Sequence, residues 1–219
     1  MAPDIVVIDY HKGNIASVVR GLTAAGGRAR ISDDPAEIER ADALVLPGVG
    51  SFGDAMAYLN ESGQATAIKR AIEAGTPFLG ICLGLQLLFD WGTEGHEDEL
   101  DENGRVAGLG VLRGHCDLLP QVGLKIPHVG WDQVHLTGAG RENPLTRGVT
   151  EGSNFYFTHS YVVYDAREED VLGTTDYACV FPSVVGRENV FAAQFHPEKS
   201  SEKGGRLMDA FVRIVEERA

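Results

Sequence analysis

The sequence of 219 residues has little cysteine, containing only Cys82, Cys116 and Cys179. Three cysteines cannot all form disulfide pairs, and their spacing matches no zinc-binding pattern. No segment approaches the run of about 18 apolar residues that a transmembrane helix requires. The first residues also lack the basic and apolar segments of a secretory signal peptide. We therefore expect a cytoplasmic protein with free thiols and no membrane partner.

Basic residues are also scarce, because 19 Lys and Arg stand against 32 Asp and Glu, for a net charge of −13. Phosphate binding needs a basic face, so nucleic acid is a poor candidate partner. Much of the acidic excess lies in residues 94–102, which we predict to be a surface loop. The hydrophobic share of 43% is ordinary for a globular chain and excludes disorder and collagen-like structure.

Short apolar runs alternate with helical patterns in the first half of the chain. Strands are predicted at 4–9, which is an apolar run typical of a buried strand, and at 28–31, 43–46 and 77–81. Helical patterns are predicted at 15–22, 33–40, 64–74 and 84–91. This alternation of strand and helix predicts a mainly parallel central sheet with helices on both faces.

The second half of the chain is rich in Val, Phe and Tyr separated by Gly, Pro and Asn. Strand-like segments lie at 111–119, 131–136, 154–164, 171–175 and 184–195. We expect an antiparallel extension of the sheet here, followed by one amphipathic C-terminal helix with an apolar stripe of Leu207, Phe211, Ile214 and Val215. With no repeat or linker in view, residues 1–219 are predicted to form a single mixed α/β domain.

The pentapeptide Gly80-Ile81-Cys82-Leu83-Gly84 is the strongest local signal for chemistry. It matches the nucleophile elbow G-x-S-x-G with cysteine in place of serine, between an apolar strand and an apolar helix. The glycines relieve the crowding of a sharp strand-to-helix turn. The start of the following helix favours a thiolate, and the Leu83 N–H is placed to meet an oxyanion. Taken alone, the pentapeptide equally fits a buried structural cysteine.

A base for the thiolate is offered by Phe195-His196-Pro197-Glu198, which follows the strand pattern at 190–195. A histidine at a strand end can point into a cleft, and Glu198 can fix its tautomer through the second imidazole nitrogen. Pro197 holds the preceding residue extended. Without the elbow, this segment would be read as a strand-end histidine beside an exposed carboxylate.

A glycine-rich loop, Pro47-Gly48-Val49-Gly50, follows another strand of the same predicted sheet. Loops at the carboxyl edge of an open α/β sheet converge on the ligand site. The flexible backbone can bring an N–H towards the carbonyl oxygen that Cys82 attacks. A phosphate cradle or a plain turn remains open, although the Lys-Ser/Thr of a P-loop is missing.

Together these motifs resemble the class I (triad) glutamine amidotransferases. The resemblance covers the elbow through Phe89, the loop 47–50 and the run Gln194 to Glu198. The strings PGVGSFGDAM, PHVGW, FYFTHSY and HPEKS make the chain similar, within that family, to glutaminase subunits of imidazole glycerol phosphate synthase. Each motif alone is weak, but their order along essentially the whole chain is specific.

The resemblance implies a role for each matching position. Cys82 matches the nucleophile, His196 the general base and acid, and Glu198 the orienting carboxylate. The positions implied for the oxyanion hole are Val49, Gly50 and Leu83. The positions implied for binding glutamine are Gly48, Gln86, Glu94, His159, Ser160 and Tyr161. The positions implied to lie near a synthase partner are Asn14, with Gly13 beside it, Trp131 and Lys199.

The implied activity is hydrolysis of glutamine to glutamate and ammonia, without cofactor or metal. The implied partner is a (β/α)₈-barrel cyclase subunit, in a heterodimer that makes imidazole glycerol phosphate and AICAR in histidine biosynthesis. The resemblance also implies that the partner switches the 47–50 loop and receives ammonia inside the complex.

Three other interpretations stay open at this point. The chain is alternatively an amidotransferase subunit of another synthase, a free-standing γ-glutamyl cysteine hydrolase, or a binding subunit with a relic triad. The FYFTHSY and PHVGW strings argue against the first, and intact Cys82, His196 and Glu198 argue against the last.

Overall fold

The computed structural model describes residues 2–13, 15–97 and 99–218. The first half contains the elements β1 (Asp4–Ile8), α1 (Ile15–Ala24), β2 (Arg28–Ser32), α2 (Pro35–Ile38), β3 (Ala43–Gly48), α3 (Phe52–Glu61), α4 (Gln64–Glu73), β4 (Phe78–Cys82) and α5 (Leu83–Gln86). The predicted alternation of strands and helices is thus confirmed for this part of the chain.

The second half is dominated by strands and ends in one long helix. Its elements are β5 (Trp91–Gly92), β6 (Val106–Ala107), β7 (His115–Leu118), β8 (His128–Leu136), α6 (Gly138–Glu142), β9 (Ser153–His159), β10 (Tyr161–Tyr164), β11 (Val171–Tyr177), β12 (Cys179–Arg187), β13 (Val190–Ala193) and α7 (Ser201–Glu216). Short 3₁₀ turns lie at Pro144–Thr146, Glu168–Asp170 and Pro197–Lys199.

A nine-stranded sheet runs in the order β2-β1-β3-β4-β13-β12-β11-β8-β9. From β2 to β13 neighbouring strands are parallel, and from β13 to β9 they are antiparallel. A four-stranded sheet, β10-β7-β5-β6, lies beside it. The fold is therefore the predicted mixed α/β class, with a parallel centre and an antiparallel extension.

The central strands are buried on both faces because their alternate side chains enter two different cores. In β1, Ile5 and Val7 pack into one hydrophobic cluster, while Val6 and Ile8 pack into the other. Side chains of a strand alternate with period two, so an apolar run such as DIVVI suits this position. Helix α7 covers the first cluster with its predicted stripe, since Leu207, Phe211, Ile214 and Val215 are all buried.

The predicted helix at 84–91 is wrong in length, because α5 ends at Gln86 and Trp91 begins β5. The carbonyls of Leu87 and Leu88 accept hydrogen bonds from Leu109 and Val111 instead of from the next helical turn. These contacts come from a segment about twenty residues away, so the local apolar pattern could not reveal them. Tertiary pairing overrides helix propensity here.

Several other boundaries differ from the sequence predictions. The structure adds α3, whose buried Phe52, Met56 and Leu59 follow helical spacing. The strand predicted at 111–119 shrinks to β7. The segments at 154–164 and 184–195 each divide into two strands, β9–β10 and β12–β13. The β12–β13 division is a reversal of the chain at Glu188, which has a positive φ of 56°.

Register places three chain segments at one edge of the sheet. Gly48 at the end of β3 pairs with Cys82 at the end of β4, and Ala193 at the end of β13 pairs with Ile81. The residues after β13 therefore emerge beside Cys82 and the 47–50 loop. Within the described part of the chain, no helix is both long enough and apolar enough to cross a membrane.

Candidate active site

Cys82 occupies a sharp turn between β4 and α5. Its φ is 54° and its ψ is −107°, and the residue is 5% exposed. A positive φ is uncommon for a residue with a side chain and persists only where the surroundings enforce it. The strained turn predicted from the Gly80–Gly84 pentapeptide is thus present, with the thiol near the carboxyl edge of the sheet.

The glycines of the pentapeptide are required by close backbone approaches. A Cβ atom on Gly84 would lie 1.8 Å from the carbonyl oxygen of Leu46, and one on Gly80 would lie 2.5 Å from the oxygen of Gly84. Any side chain at these positions would push β3 or α5 away. The tight turn therefore fixes Cys82 against the neighbouring strand.

His196 and Glu198 form a buried pair. The Nδ1 atom of His196 lies 2.8 Å from Oε1 of Glu198, and their side chains are 3% and 4% exposed. Because a carboxylate can only accept, Nδ1 carries a proton, and Nε2 is left without a contact to Glu198. Among the described residues Nε2 has no hydrogen-bond partner of standard geometry.

The pKa of His196 is raised to about 9. Burial is the largest single influence and lowers it, but the combined effects of Cys82 and then Glu198 outweigh burial. The imidazole is therefore protonated near neutral pH and lies close enough to Cys82 to be stabilised by a thiolate.

Two further groups contact the sulfur. The Sγ atom of Cys82 lies 3.9 Å from the carbonyl oxygen of Thr158, and the amide nitrogen of Gln194 lies 3.7 Å from Sγ. Gln194 is completely buried. The thiol is thus surrounded by an acceptor, a donor and an imidazole rather than by apolar atoms alone.

The predicted oxyanion loop lies against Tyr10. The Val49 N–H donates to the Tyr10 hydroxyl over 3.1 Å, and that hydroxyl lies 3.3 Å from the Val49 carbonyl oxygen, to which it donates. In this conformation the N–H of Val49, one of the three positions predicted for the oxyanion hole, already donates to a protein acceptor. Gly50 has φ of 103°, which suits glycine. Leu83 directly follows Cys82 as the first residue of α5.

Gly48, the first predicted substrate-binding position, is held tightly between Tyr10 and the elbow. A Cβ atom on Gly48 would lie 2.4 Å from the Tyr10 hydroxyl and 2.8 Å from Cβ of Leu83. This close approach explains why glycine is needed at the position. Burial raises the pKa of Tyr10, so its hydroxyl stays neutral.

The predicted substrate positions Gln86, Glu94 and Tyr161 line one small crevice. The amide nitrogen of Gln86 donates to the Tyr161 carbonyl over 2.9 Å. Oε2 of Glu94 accepts the Phe52 N–H over 3.0 Å, and burial raises the pKa of this carboxyl. Glu94, at the start of the acidic 94–102 segment, is therefore half-buried, while the predicted surface loop continues beyond it.

His159 is engaged within the protein through both ring nitrogens. Its Nδ1 lies 3.0 Å from the Tyr161 carbonyl oxygen, and its Nε2 lies 3.2 Å from Nδ1 of His128. Burial is the main cause that lowers the pKa of His159 to about 3, so the ring is neutral. A glutamine would therefore meet backbone groups of the stretch 159–161, or the half-exposed Ser160 and Tyr161, rather than this imidazole.

Two of the predicted partner positions lie together at the surface. Trp131 on β8 is 54% exposed and packs edge-on against Tyr156, and the Lys199 ammonium lies 5.9 Å from the centre of the same Tyr156 ring. The N–H of His196 donates to the carbonyl oxygen of Tyr156 over 2.9 Å. This exposed group therefore adjoins the His196 segment. The third position, Asn14, lies outside the described residues.

One group among the described residues has the composition of a metal site. Ligand atoms of Asp54, His96 and Glu99 lie within 4.8 Å of one another at the surface. Asp54 is already paired with the Lys12 ammonium at 2.5 Å. Glu99 accepts the backbone N–H of His96 over 2.7 Å. These protein contacts occupy two of the three side chains.

Sequence reasoning missed two residues that contact the site, Tyr10 and Gln194. Tyr10 directly follows a buried strand, so its place at the carboxyl edge was predictable from that strand, although its contact with Val49 was not. Gln194 is an amide at the end of the otherwise apolar run 190–195. A polar side chain in a strand buried on both faces is a signal that it has a specific partner.

Comparisons with known proteins identify the family of the chain. The sequence model described as "Glutamine amidotransferase class-I" matches residues 6–214. Imidazole glycerol phosphate synthase subunit HisH of Moorella thermoacetica is 46% identical over 211 residues, which cover 96% of this chain and 95% of that protein. The subunit of the same name from Aquifex aeolicus is 47% identical over 212 residues, which cover 96% and 97%.

Solved structures with little sequence identity share the fold. The structure of PurLQS from Thermotoga maritima superposes with a TM-score of 0.71 at 20% identity, covering 98% of this chain and 99% of that chain. At this identity the likeness supports the architecture alone. The match over nearly all of the sequence, together with the highly similar relatives, shows that the chain belongs to the class-I glutamine amidotransferase family.

Proposed function

We propose that this chain is the glutaminase subunit of an imidazole glycerol phosphate synthase. It hydrolyses glutamine to glutamate and ammonia, and it supplies the ammonia to a (β/α)₈-barrel cyclase that makes imidazole glycerol phosphate and AICAR. The observation that carries the proposal is the buried His196–Glu198 pair, whose imidazole interacts with the strained Cys82. The names of the relatives with 46–47% identity support the choice of synthase.

In the first step the Cys82 thiolate attacks the side-chain amide carbon of glutamine. The C=O π electrons move to oxygen and form a tetrahedral oxyanion. The imidazolium of His196 transfers its Nε2 proton to the amide nitrogen, the C–N bond breaks, and ammonia leaves from a γ-glutamyl thioester. A histidine pKa of about 9 supports this order, because the proton is present at neutral pH before the attack.

In the second step water replaces ammonia. Neutral His196 takes a proton from water as its oxygen attacks the thioester carbon, and the collapsing intermediate expels the thiolate and releases glutamate. Glu198 holds the imidazole orientation through both steps. No group beyond glutamine and water is consumed.

The oxyanion needs backbone N–H donors, and in the described conformation the Val49 N–H donates to Tyr10 instead. We assign this role to the backbone around Val49 and Gly50 and to the Leu83 N–H, with glutamine held by Gly48, Gln86, Glu94 and the 159–161 stretch. The loss of one oxyanion donor typically costs about 2.7–4 kcal/mol of transition-state stabilisation. Since the Val49 N–H is bound to Tyr10, we expect slow hydrolysis until the loop turns.

The cyclase is proposed to dock on the surface that carries Trp131 and Lys199, together with the Gly13–Asn14 region. A crevice lined by Gly13, Val49, His196 and Lys199 supports this choice, because it joins that surface to the active site. Docking there would enclose the ammonia as it leaves. We further propose a single glutaminase domain over residues 1–219 and a cytoplasmic location for the complex.

The decisive experiment mixes the chain with a candidate cyclase subunit and measures imidazole glycerol phosphate formed from glutamine. We expect glutamine-dependent synthesis, and a rate of glutamine hydrolysis above that of the isolated chain. Cys82→Ala should bind the cyclase yet lose synthesis from glutamine, while synthesis from added ammonium salt continues. Cys179→Ala serves as the matched control and should keep both activities.

Two results would contradict the proposal. One is a Cys82→Ala variant that still uses glutamine, since this would remove the nucleophile assignment. The other is a hydrolysis rate that the cyclase does not raise, which would favour a free-standing hydrolase.

A further inference from the structure

A chain of two buried amides leads from the substrate crevice to the sulfur. The amide nitrogen of Gln86 donates to the Tyr161 carbonyl over 2.9 Å and to Oε1 of Gln194 over 3.2 Å. The amide nitrogen of Gln194 in turn lies 3.7 Å from Sγ of Cys82. Gln194 is fully buried and Gln86 is 4% exposed, so solvent does not compete with these contacts.

The contacts determine which end of Gln194 faces the sulfur. The Tyr161 carbonyl can only accept, so the Gln86 atom beside it must be the nitrogen. That same nitrogen donates to Gln194, so the Gln194 atom it meets must be the oxygen. The remaining Gln194 atom, which faces Cys82, is therefore the NH₂ group. The network presents a donor to the sulfur, and a rotated amide would place two donors or two acceptors against each other.

A donor at this point matters because the other contact of the sulfur, a backbone carbonyl, opposes ionisation of the thiol. The Thr158 carbonyl oxygen, 3.9 Å from Sγ, suits the S–H of a thiol and repels the lone pairs of a thiolate. The titratable groups around the sulfur are His196 after β13, with Glu198 behind it, and Tyr10 after β1. Of these, only the imidazolium favours the anion.

We propose that Gln194 is a further residue of the catalytic machinery, whose side-chain N–H stabilises the Cys82 thiolate while Gln86 holds that amide in orientation. This rests on the proposed nucleophile role of Cys82 and extends it to a residue outside the triad. The same arrangement couples the predicted substrate side chain Gln86 to the sulfur, because both share one hydrogen bond with Gln194.

Thiolate formation is measured directly by alkylation of the full chain with iodoacetamide between pH 5 and 10. Modification at each cysteine is read by peptide mass spectrometry, so Cys116 and Cys179 are followed separately from Cys82. In Gln194→Met, which has similar volume and no donor, we expect Cys82 to react roughly threefold to tenfold more slowly at pH 7. We also expect the midpoint of its pH profile to rise, while the plateau at high pH is unchanged.

Gln64→Met is the matched control. Gln64 is also fully buried, and its amide nitrogen donates to the carbonyls of Asp9 and Asp33 over 3.0 Å each. This variant loses a comparable buried amide and should be destabilised, yet its Cys82 pH profile should match that of the unaltered chain. A profile that shifted equally in both variants would show general loosening and overturn the proposal.

Gln194→Asn provides a second variant that keeps a polar side chain and withdraws the amide by one methylene. It should shift the profile in the same direction as Gln194→Met. An unchanged Cys82 profile in the folded variants would overturn the role of Gln194. Glutamine hydrolysis by the unaltered chain with its cyclase, measured separately, tests the proposed function, so the two failures are distinguishable.

Discussion

The two sides of the cleft differ in how firmly they are held. On the His196 side, the imidazole bonds Glu198, the backbone N–H bonds the Tyr156 carbonyl, and the Ser200 hydroxyl donates to the His196 carbonyl over 2.6 Å. On the loop side, Val49 is 39% exposed and is held through the Tyr10 hydroxyl at 3.1 and 3.3 Å.

The difference separates two parts of catalysis. The groups that we propose to form and break bonds are buried and firmly held, so little rearrangement is needed to bring proton and thiolate together. The Val49 N–H, which we propose to stabilise the oxyanion, is on the weakly held loop side and donates to Tyr10 instead. If the proposed cyclase controls the rate, we expect it to act on the loop, because a small turn of one peptide adds or removes one donor.

The largest expected effect comes from a substitution on the His196 side of the cleft. Glu198→Gln keeps the shape of the side chain but removes the charge that orients and stabilises the imidazolium. We expect the rate of cyclase-stimulated glutamine hydrolysis to fall by roughly 10²–10⁴-fold, the range typical of positioned acid–base groups. Steady-state release of glutamate measures it.

Glu202→Gln is the control for this change. Glu202 is 80% exposed and contacts only Arg206 on the surface of α7 among the described partners. Its replacement should leave hydrolysis within about twofold, as expected for an exposed ion pair. A Glu198→Gln enzyme of near-normal rate would show that the buried pair is structural.

The charge on the His196 side of the cleft should depend on pH. The His196 pKa is about 9 in the folded chain: burial lowers it, but Cys82 and Glu198 raise it further, above the ordinary value of about 6.5. The imidazole should therefore stay charged through neutral pH and lose its proton only as the pH rises through about 9.

We therefore expect the His196 ring protons to titrate with a midpoint near pH 9 in an NMR titration of the folded chain, against about 6.5 for an ordinary histidine. Comparison with the spectrum of a His196→Gln chain assigns the signals. A midpoint near the ordinary value would contradict the raised pKa of His196.

The contact between loop and elbow is tested by Gly48→Ala. The added methyl would meet the Tyr10 hydroxyl at 2.4 Å and Leu83 at 2.8 Å, so β3 or the elbow must move. We expect a loss of about 1–3 kcal/mol in unfolding free energy by urea denaturation. Gly205→Ala, where the new methyl meets nothing within 4 Å in α7, should be neutral or slightly stabilising. Equal unfolding free energies of the two variants would mean that the loop accommodates the added methyl at no cost in stability.

The sequence predicted the contacts on the His196 side of the cleft far better than those on the loop side. Cys82, His196 and Glu198 carry local signatures, namely glycines around a strand-to-helix turn and a proline between histidine and carboxylate. The contacts of Tyr10 with Val49 and of Gln194 with Cys82 join positions 39 and 112 residues apart, so no local pattern encodes them. The overlong helix at 84–91 has the same origin, because residues 109–111 take its carbonyls.

The smallest expected effect is also the most specific to the loop. Tyr10→Phe keeps the buried ring and removes the hydroxyl that occupies the Val49 N–H. The Val49 N–H then has no acceptor from Tyr10 and is free to donate to the oxyanion that forms on the bound substrate. We expect glutamine hydrolysis by the isolated chain to rise roughly threefold to tenfold, as expected for the loss of one hydrogen bond, and the stimulation by a cyclase to shrink by the same factor.

Tyr164→Phe separates this effect from general loosening. Its hydroxyl also donates to a backbone carbonyl, that of Leu118 at 3.2 Å, but in the smaller sheet. This control should leave both the basal and the stimulated rates unchanged. If Tyr10→Phe instead lowered the basal rate, the hydroxyl would be supporting the active loop rather than restraining it. Both sides of the cleft would then already have the conformation needed for catalysis, and this result would contradict the contrast between a fixed triad and a restrained donor.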